Sequence, residues 1–363
     1  MNASEPRTWL VLGDKRGDNG QVEAVAARLP WPYETRFVQM KPEWVYGKPR
    51  VRPTLDHLDL DRSDPLEPPW PDLIITVGRR PSSVALWIQK QSGGHSRIVQ
   101  MTKPSTRIER FDLVVTSAET LLPPLPNIVE TRLPLMRIQQ DPAELEKWRS
   151  RFATLPRPLV GFLIGGPTRP YIYNRTVLDR VLSLATDIAN RQGGTPYLTT
   201  SRRTPDWFAD ALENTLPGTA RLFRWSADAE ENPYKGIIGL ADGLIVTGDS
   251  ISMMVEGIGL GRPVGILPLP VGLIGALDQA RRDALSWLFA SVEDGAGASR
   301  QAVARLLYNL RLVHQSRNFR QFHRKLVNGG QAVWAGDAFA APVPTNEQDV
   351  DRVVARIRKL MDA

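Results

Sequence analysis

The sequence contains no cysteine and only four histidines, His57, His95, His314 and His323, among 363 residues. The first absence excludes a disulfide framework, a thiolate nucleophile and any cysteine-ligated metal, and it is compatible with a reducing cytoplasm. The second, with no HExxH or HxH spacing, gives no basis for a dedicated metal site, and none is expected. His57, in LDHLDLD, reads as an exposed side chain. Long apolar runs are missing too. The longest, residues 264–277, is broken by Pro268, Pro270 and three glycines. It is too short to span a bilayer, and packing inside the second half of the chain is its expected use ahead of contact with a membrane surface. The opening residues MNASEPRTWL lack a charged stretch followed by an apolar one, so no signal peptide is expected. The expected location is the cytoplasm, with peripheral contact at the inner face of the membrane left open.

What is present is an ordinary globular composition, 42% apolar and 23% charged, on a chain long enough for two domains. The net charge is +7. The basic residues are mostly arginines scattered along the chain, denser over residues 300–359, and they form neither a basic helix nor an aromatic-basic sheet motif. Nucleic acid is therefore not an expected partner; a basic surface favouring anionic substrates or anionic lipid is. Oligomeric state is not legible.

Strand and helix signals alternate through both halves, which predicts parallel sheets with ligands bound at the strand C-termini. In the first half, residues 9–12 form a short apolar strand leading into GDKRGDNGQ and a helical pattern over 22–29. The glycines at 13, 17 and 20 do not make GxGxxG, and no GxxxxGK[ST] is present, so a standard dinucleotide or P-loop site is not expected. Residues 40–72 form a Pro-rich insert, read as a lid or acceptor-facing segment or as a plain surface loop. The run LIITV at 73–77 is a buried strand followed by GRRP and a helix, and three further strands are expected near 97–101, 113–116 and 127–130. The predicted strand ends carry Asp14, Asp18, Arg79, Arg80, Lys103 and Glu119. A helix over 141–153, stopped by Pro156 and Pro158, is taken as the bridge. The expected domains are therefore 1–155 and 156–335, with 336–363 as a tail or helix packing back on the first domain.

The second half repeats the pattern. Residues 159–164 form a strand followed by GGPTRPY, where Gly165 and Gly166 let a backbone approach a ligand closely. Residues 197–200 form a strand ending in Ser201, Arg202 and Arg203, and Thr204 with Pro205 reads as an N-cap and first helical position. The stretch 243–267 reads as strand, turn, helix, turn, strand. Thr247 ends its strand, and Asp249 and Ser250 supply helix-start chemistry. Unpaired N–H groups and the positive end of the helix dipole favour a phosphate there, and Ser250 and Ser252 add hydroxyls. Glu256, seven residues after Asp249, stands where a carboxylate could accept from ribose hydroxyls. Asp249 itself reads as a turn or cap residue, since a carboxylate beside a leaving diphosphate would repel it. A nucleotide diphosphate, with or without a sugar, fits this inventory.

Taken together, IGGP at 164–167, SRRTP at 201–205, NPY at 232–234, and VTGDSISMMVEG with GRPV at 246–264 resemble the bacterial members of the mitochondrial-fission "elongated mitochondria" family, as do GDKRGDNGQ and PDLIITVGRR in the first half. Those members are treated as GT-B glycosyltransferases. The resemblance implies an α/β protein of two Rossmann-like domains with parallel sheets facing a cleft, the donor nucleotide on the second and the acceptor on the first. It implies no cofactor and no metal, with a nucleotide-diphosphate sugar as co-substrate and a saccharide or lipid-linked acceptor as the second partner. The implied donor-site residues are Gly165, Gly166, Ser201, Arg202, Arg203, Thr247, Asp249, Ser250, Ser252 and Glu256. Arg79, Arg80 and Lys103 fall on the acceptor side, and Asp14 or Asp18 is the candidate base of an inverting reaction. A non-catalytic scaffold on the same fold and a nucleotide-sugar epimerase are the competing readings; the absence of GxGxxG and of a Tyr-x-x-x-Lys pair weakens the latter.

Overall fold

A computed structural model of the chain describes residues 5–44, 49–136, 140–290, 295–344 and 346–362. The chain divides into two compact units: residues 1–137 with 289–315 and 345–363, and residues 138–288 with 316–344.

The first unit is built on β1 (Thr8–Leu12), α1 (Arg16–Ala26), β2 (Tyr33–Phe37), β3 (Leu73–Val77), α2 (Arg79–Gln91), β4 (Arg97–Met101), β5 (Leu113–Ser117), the short β6 (Thr120–Leu121) and β7 (Ile128–Thr131). Six of these strands form one sheet in the order β2-β1-β3-β4-β5-β7, and every pairing is parallel. Buried on both faces, β1, β3 and β5 read as near-continuous apolar runs, interrupted only by Thr8, Thr76, Thr116 and Ser117, rather than alternating ones. One face packs Trp9, Val11, Ile74 and Ile98 against Val84 and Ile88 of α2. Met40, Val51 and Leu58 from the Pro-rich insert join that core and anchor the insert at those three points; the insert's residues 45–48 lie outside the described ones. His57, in the same insert, is buried at 4% exposure with Nε2 3.2 Å from the Arg80 carbonyl, which corrects its reading as an exposed residue.

The second unit contains α3 (Pro142–Phe152), β8 (Leu159–Ile164), α4 (Arg175–Asn190), β9 (Thr195–Thr200), α5 (Asp206–Thr215), β10 (Arg221–Phe223), α6 (Tyr234–Leu240), β11 (Gly243–Thr247), α7 (Ile251–Gly259), β12 (Val264–Leu267) and α8 (Leu273–Leu288). Its all-parallel sheet runs β10-β9-β8-β11-β12-β14, closed by the two-residue β14 (Val333–Trp334). This is the doubly wound order 3-2-1-4-5-6 of dinucleotide-binding folds. The core joins Val160, Phe162 and Ile164 of β8 to Val177, Val181 and Leu184 of α4.

The units are not cut where Pro156 and Pro158 suggest. Helix α3 groups with the second unit because Trp148 packs on Gly236 of α6 so closely that a Cβ there would overlap the indole. Conversely α9 (Ala298–Asn309) groups with the first unit, where Tyr308 is buried and its hydroxyl accepts from the Ile108 N–H at 3.2 Å. One short strand and two helices complete the chain: β13 (Ser316–Arg317) and α10 (Phe319–Asn328) in the second unit, and α11 (Asn346–Met361) in the first, where Val353 and Ile357 enter the core beside Val22 and Val25 of α1. The apolar run 264–277 is only half interior. β12 is buried, whereas Leu273, Ile274 and Leu277 are exposed, contrary to the expected packing. Among the described residues no helix is long and apolar enough to cross a membrane.

Candidate functional site

In the second unit the strand order reverses between β8 and β11, so two connections leave the sheet side by side at its C-terminal edge. One is Gly165–Gly166 after β8; the other is Gly248–Ser250, leading into α7. A continuous polar network ties them. The Gly165 N–H donates to Thr247 Oγ1 at 2.9 Å, and the Gly166 N–H donates to Asp249 Oδ2 at 2.9 Å. The Tyr173 hydroxyl lies 2.9 Å from Asp249 Oδ1 and 3.1 Å from Thr247 Oγ1. Its single hydrogen belongs on the carboxylate, the stronger acceptor. Burial, followed by the adjacent Asp249 charge, pushes the Tyr173 phenol well above its usual range, so it stays a donor. Ser250 Oγ donates to Asp249 Oδ2 at 3.2 Å, and Arg203 Nη2 approaches the same oxygen at 3.4 Å. The Asp249 side chain has no exposed surface, and these donors offset the cost of burying its charge.

The glycines serve this junction directly. A Cβ at Gly165 would overlap Asp249 Oδ2 and Ser250 Oγ, and one at Gly166 would overlap the Arg203 carbonyl. The loop after β9 joins from the other side. Thr204 Oγ1 donates to the Gly165 carbonyl at 2.6 Å and accepts from the Ser201 N–H at 2.9 Å. Thr204 is therefore not the cap of α5. That helix begins at Asp206 with Pro205 in the cap position, and the hydroxyl holds loops together instead. Arg203 is half exposed, with Nη1 2.5 Å from Thr168 Oγ1. Arg202 and Ser252 are exposed.

Helix α7 starts at Ile251 with Ser250 in the N-cap position, but the Ser250 side chain accepts no hydrogen bond from the first turn, being turned to Asp249. The first-turn N–H groups thus have no side-chain cap from that residue. Glu256, one turn further, is already engaged: Tyr234 donates to Oε2 at 2.7 Å and Lys235 Nζ to Oε1 at 2.6 Å. NPY positions that pair, since Asn232 Oδ1 accepts from the Tyr234 N–H at 3.0 Å where α6 begins. Burial, then the Glu256 charge, raises the Tyr234 phenol well above its ordinary value.

Three residues of this junction escaped the sequence reading. Tyr173 sits in YIY with nothing to mark it, and Thr204 carries a helix-start signal that points to a different role. His323 of α10 comes from 75 residues beyond Gly248 and lies against it, its Cε1 3.0 Å from where a Cβ would stand. The ring is 3% exposed and stacks on Tyr171 at 6.4 Å and 17°. Burial pushes its pKa down to about 4, against a hydrogen bond to the Gly248 backbone that favours the charged form. Burial likewise lifts the Tyr171 phenol to about 12.

The first unit has its own reversal, between β1 and β3. Asp14 is exposed after β1, and Asp18, partly buried, lies in the first turn of α1 with Oδ2 4.0 Å from the position of a Cβ on Gly78. Gly78 adopts φ 85°, which favours glycine, and opens α2. Arg79 Nη1 donates to the Pro49 carbonyl at 3.0 Å. Arg80 is the next helical residue, so Asp14, Asp18, Arg79 and Arg80 fall on two adjacent connections. Lys103 lies one strand further along, after Thr102, whose φ of 66° is unusual for a β-branched residue. No cluster of metal-ligating side chains occurs among the described residues.

A sequence model of the family described as mitochondrial fission ELM1 matches residues 16–276. The chain is 26% identical over 223 residues to the mitochondrial fission protein ELM1 of Arabidopsis thaliana, a match covering 54% of this chain and 51% of that protein, so it spans about half of that relative's length. It is 23% identical over 299 residues to an uncharacterized protein of Rickettsia prowazekii (strain Madrid E), covering 72% and 83% respectively. Looser likenesses to solved structures include a glycosyltransferase from Rickettsia africae ESF-5 (13% identity, 90% of this chain and 98% of that one, TM-score 0.42). Another is a UDP-GlcNAc 2-epimerase from Neisseria meningitidis bound to UDP-GlcNAc (10% identity, 97% and 100%, TM-score 0.46). The family match covers well over half of the chain. The chain belongs to the mitochondrial fission ELM1 family.

Proposed function

We propose that the second unit binds a nucleotide-diphosphate sugar and that the protein transfers the sugar to a saccharide or lipid-linked acceptor without a metal. The observation that carries this reading is the start of α7. It emerges at the strand-order reversal, its N-cap side chain is turned away to Asp249, and the half-exposed Arg203 stands beside it. When the bond between the anomeric carbon and the diphosphate breaks, negative charge grows on the leaving oxygens. Fixed N–H dipoles and a guanidinium stabilise that charge without reorganising. Arg202, Ser252 and Glu256 are the further donor-side candidates, and Arg79, Arg80 and Lys103 are those for the acceptor. If the reaction inverts configuration, the acceptor hydroxyl loses its proton to a carboxylate, with Asp14 and Asp18 as candidates. The test is thermal unfolding with UDP, GDP, CMP and ADP: at least one diphosphate should raise the midpoint, more than CMP does, and no shift with any of them would remove the reading's support.

A second reading, a non-catalytic scaffold with the same fold, is favoured by Glu256, both of whose oxygens are held by the protein's own Tyr234 and Lys235. Nucleotide binding without measurable nucleotide-sugar hydrolysis or transfer would select it.

A further inference from the structure

Helix α8 is amphipathic in the wrong direction for a helix that only packs on its own domain. Its inward side is largely polar: Leu285 is the one apolar side chain among its buried residues, beside Gln279 and Ser286. Gln279 is 3% exposed and donates to Asn318 Oδ1 at 3.1 Å and to Asp283 Oδ1 at 2.9 Å, while Asn318 donates to Asp283 at 2.9 Å and to Ser286 at 2.8 Å. This network satisfies the buried groups and fixes the helix against the start of α10. The outward side is apolar. Leu273, Ile274, Leu277 and Trp287 are 95%, 89%, 78% and 64% exposed, with the exposed Ala276, Ala280 and Ala284 between them. Arg281 is the one charged residue in that exposed set. Single exposed leucines need no explanation, but a helical stripe of exposed apolar side chains running about 21 Å from Leu273 to Trp287 does.

We propose that α8 docks this stripe on the surface of an anionic lipid bilayer, lying in the plane of the interface. The charge pattern selects that occupant. Asp278 shares its carboxylate between Arg281 at 2.8 Å and Arg282 at 2.7 Å, and Asp283 faces Arg320 at 3.5 Å. Arg317 is adjacent through its carbonyl, to which Arg282 donates. Four arginines thus stand against two carboxylates, Asp278 and Asp283, and the surplus is positive. Leucine and isoleucine at one end, an indole at the other and surplus arginine suit an interface of acyl chains and anionic headgroups. A second copy of the chain fits less well. Antiparallel self-pairing about the middle of the stripe would bring Arg281 of one copy close to Arg281 of the other, a like-charge contact. The proposal does not depend on the nucleotide site.

The test is flotation of the full chain with vesicles of phosphatidylcholine alone and with vesicles in which roughly a third of the lipid is phosphatidylglycerol. The wild type should float with the anionic vesicles and much less with the neutral ones. A triple variant, Leu273→Ser with Ile274→Ser and Leu277→Ser, should bind more weakly by about tenfold or more. It removes only exposed side chains, and its thermal unfolding at the wild-type temperature establishes that it folds. Arg281→Glu should weaken anionic binding alone. As an independent readout, brominated phospholipid should quench wild-type tryptophan fluorescence, and Trp287→Phe should lose most of that quenching. Failure of the wild type to float, equal flotation of the triple variant, or a wild-type dimer in vesicle-free solution that the triple variant dissolves would each overturn the proposal.

Discussion

The hydroxyl of Tyr173 donates to Asp249 Oδ1 at 2.9 Å, while the other oxygen of the same buried carboxylate accepts from the Gly166 N–H at 2.9 Å. One side chain therefore links the loop after β8, the start of α4's approach and the turn into α7. Tyr173→Phe takes away one donor and leaves the rest, which should cost about 1–2 kcal/mol. Asp249→Ala strands the Gly166 N–H, the Tyr173 hydroxyl and Ser250 together, and should cost more, about 3–4 kcal/mol. Urea denaturation of the two variants measures both. Equal costs would show that Asp249 is not the hub.

The glycine pair supplies a prediction of a different kind. Gly165→Ala must displace Asp249 and Ser250, both held by the network, and Gly166→Ala must displace the backbone of Arg203. Neither obstacle is the free end of a flexible chain, so each substitution should destabilise the protein by more than about 2 kcal/mol. Gly218→Ala, where nothing lies within 4 Å of the added carbon, is the control and should change stability by less than about half a kcal/mol. Denaturation midpoints that fail to separate the pair from the control would mean that the loops part easily.

Much of this was legible. Apolar runs such as LIITV and LVGFLI became strands because a parallel sheet buries both faces, and the glycine and aspartate signals fell at the strand ends. Three things were not legible, each for a physical reason. Strand β14 has two residues, too few for any periodicity. Tyr308 meets Ile108 across 200 residues, and no local pattern encodes such a contact. Thr204 carried a genuine helix-start signal, but the Gly165 carbonyl, created only by the folded loop, is the acceptor its hydroxyl takes. The same competition governs Ser250, whose hydroxyl goes to Asp249 rather than to the first turn of α7.

Acid should weaken the second unit through His323. Burial lowers its folded pKa from 6.5 to about 4, so the unfolded chain binds the proton first. Above pH 6.5 the ring is neutral in both states and contributes no pH dependence. As pH falls from 6.5 toward 4, stability is lost progressively, by about 2 kcal/mol at pH 5. Other groups also titrate in that window, His57 among them, whose pKa burial also lowers. The measurement is therefore the difference between wild type and His323→Gln at pH 7 and pH 5. A variant with the same acid loss as the wild type would remove His323 from the account.

Arg203 separates binding from folding. Its guanidinium is half exposed and its approach to Asp249 is long, 3.4 Å, so deleting it should cost no more than about 1 kcal/mol of stability. A diphosphate at the start of α7 would lose a charge-assisted partner, which should weaken nucleoside diphosphate binding about tenfold and nucleoside monophosphate binding less. Arg203→Lys keeps the charge but not the fork between Thr168 and Asp249, so it should recover only part of the affinity. Titration calorimetry on Arg203→Ala, Arg203→Lys and Arg202→Ala resolves the roles. If only Arg202→Ala weakens binding, the exposed neighbour is the diphosphate cation and Arg203 serves the loops; if neither does, the phosphates do not sit at this helix start.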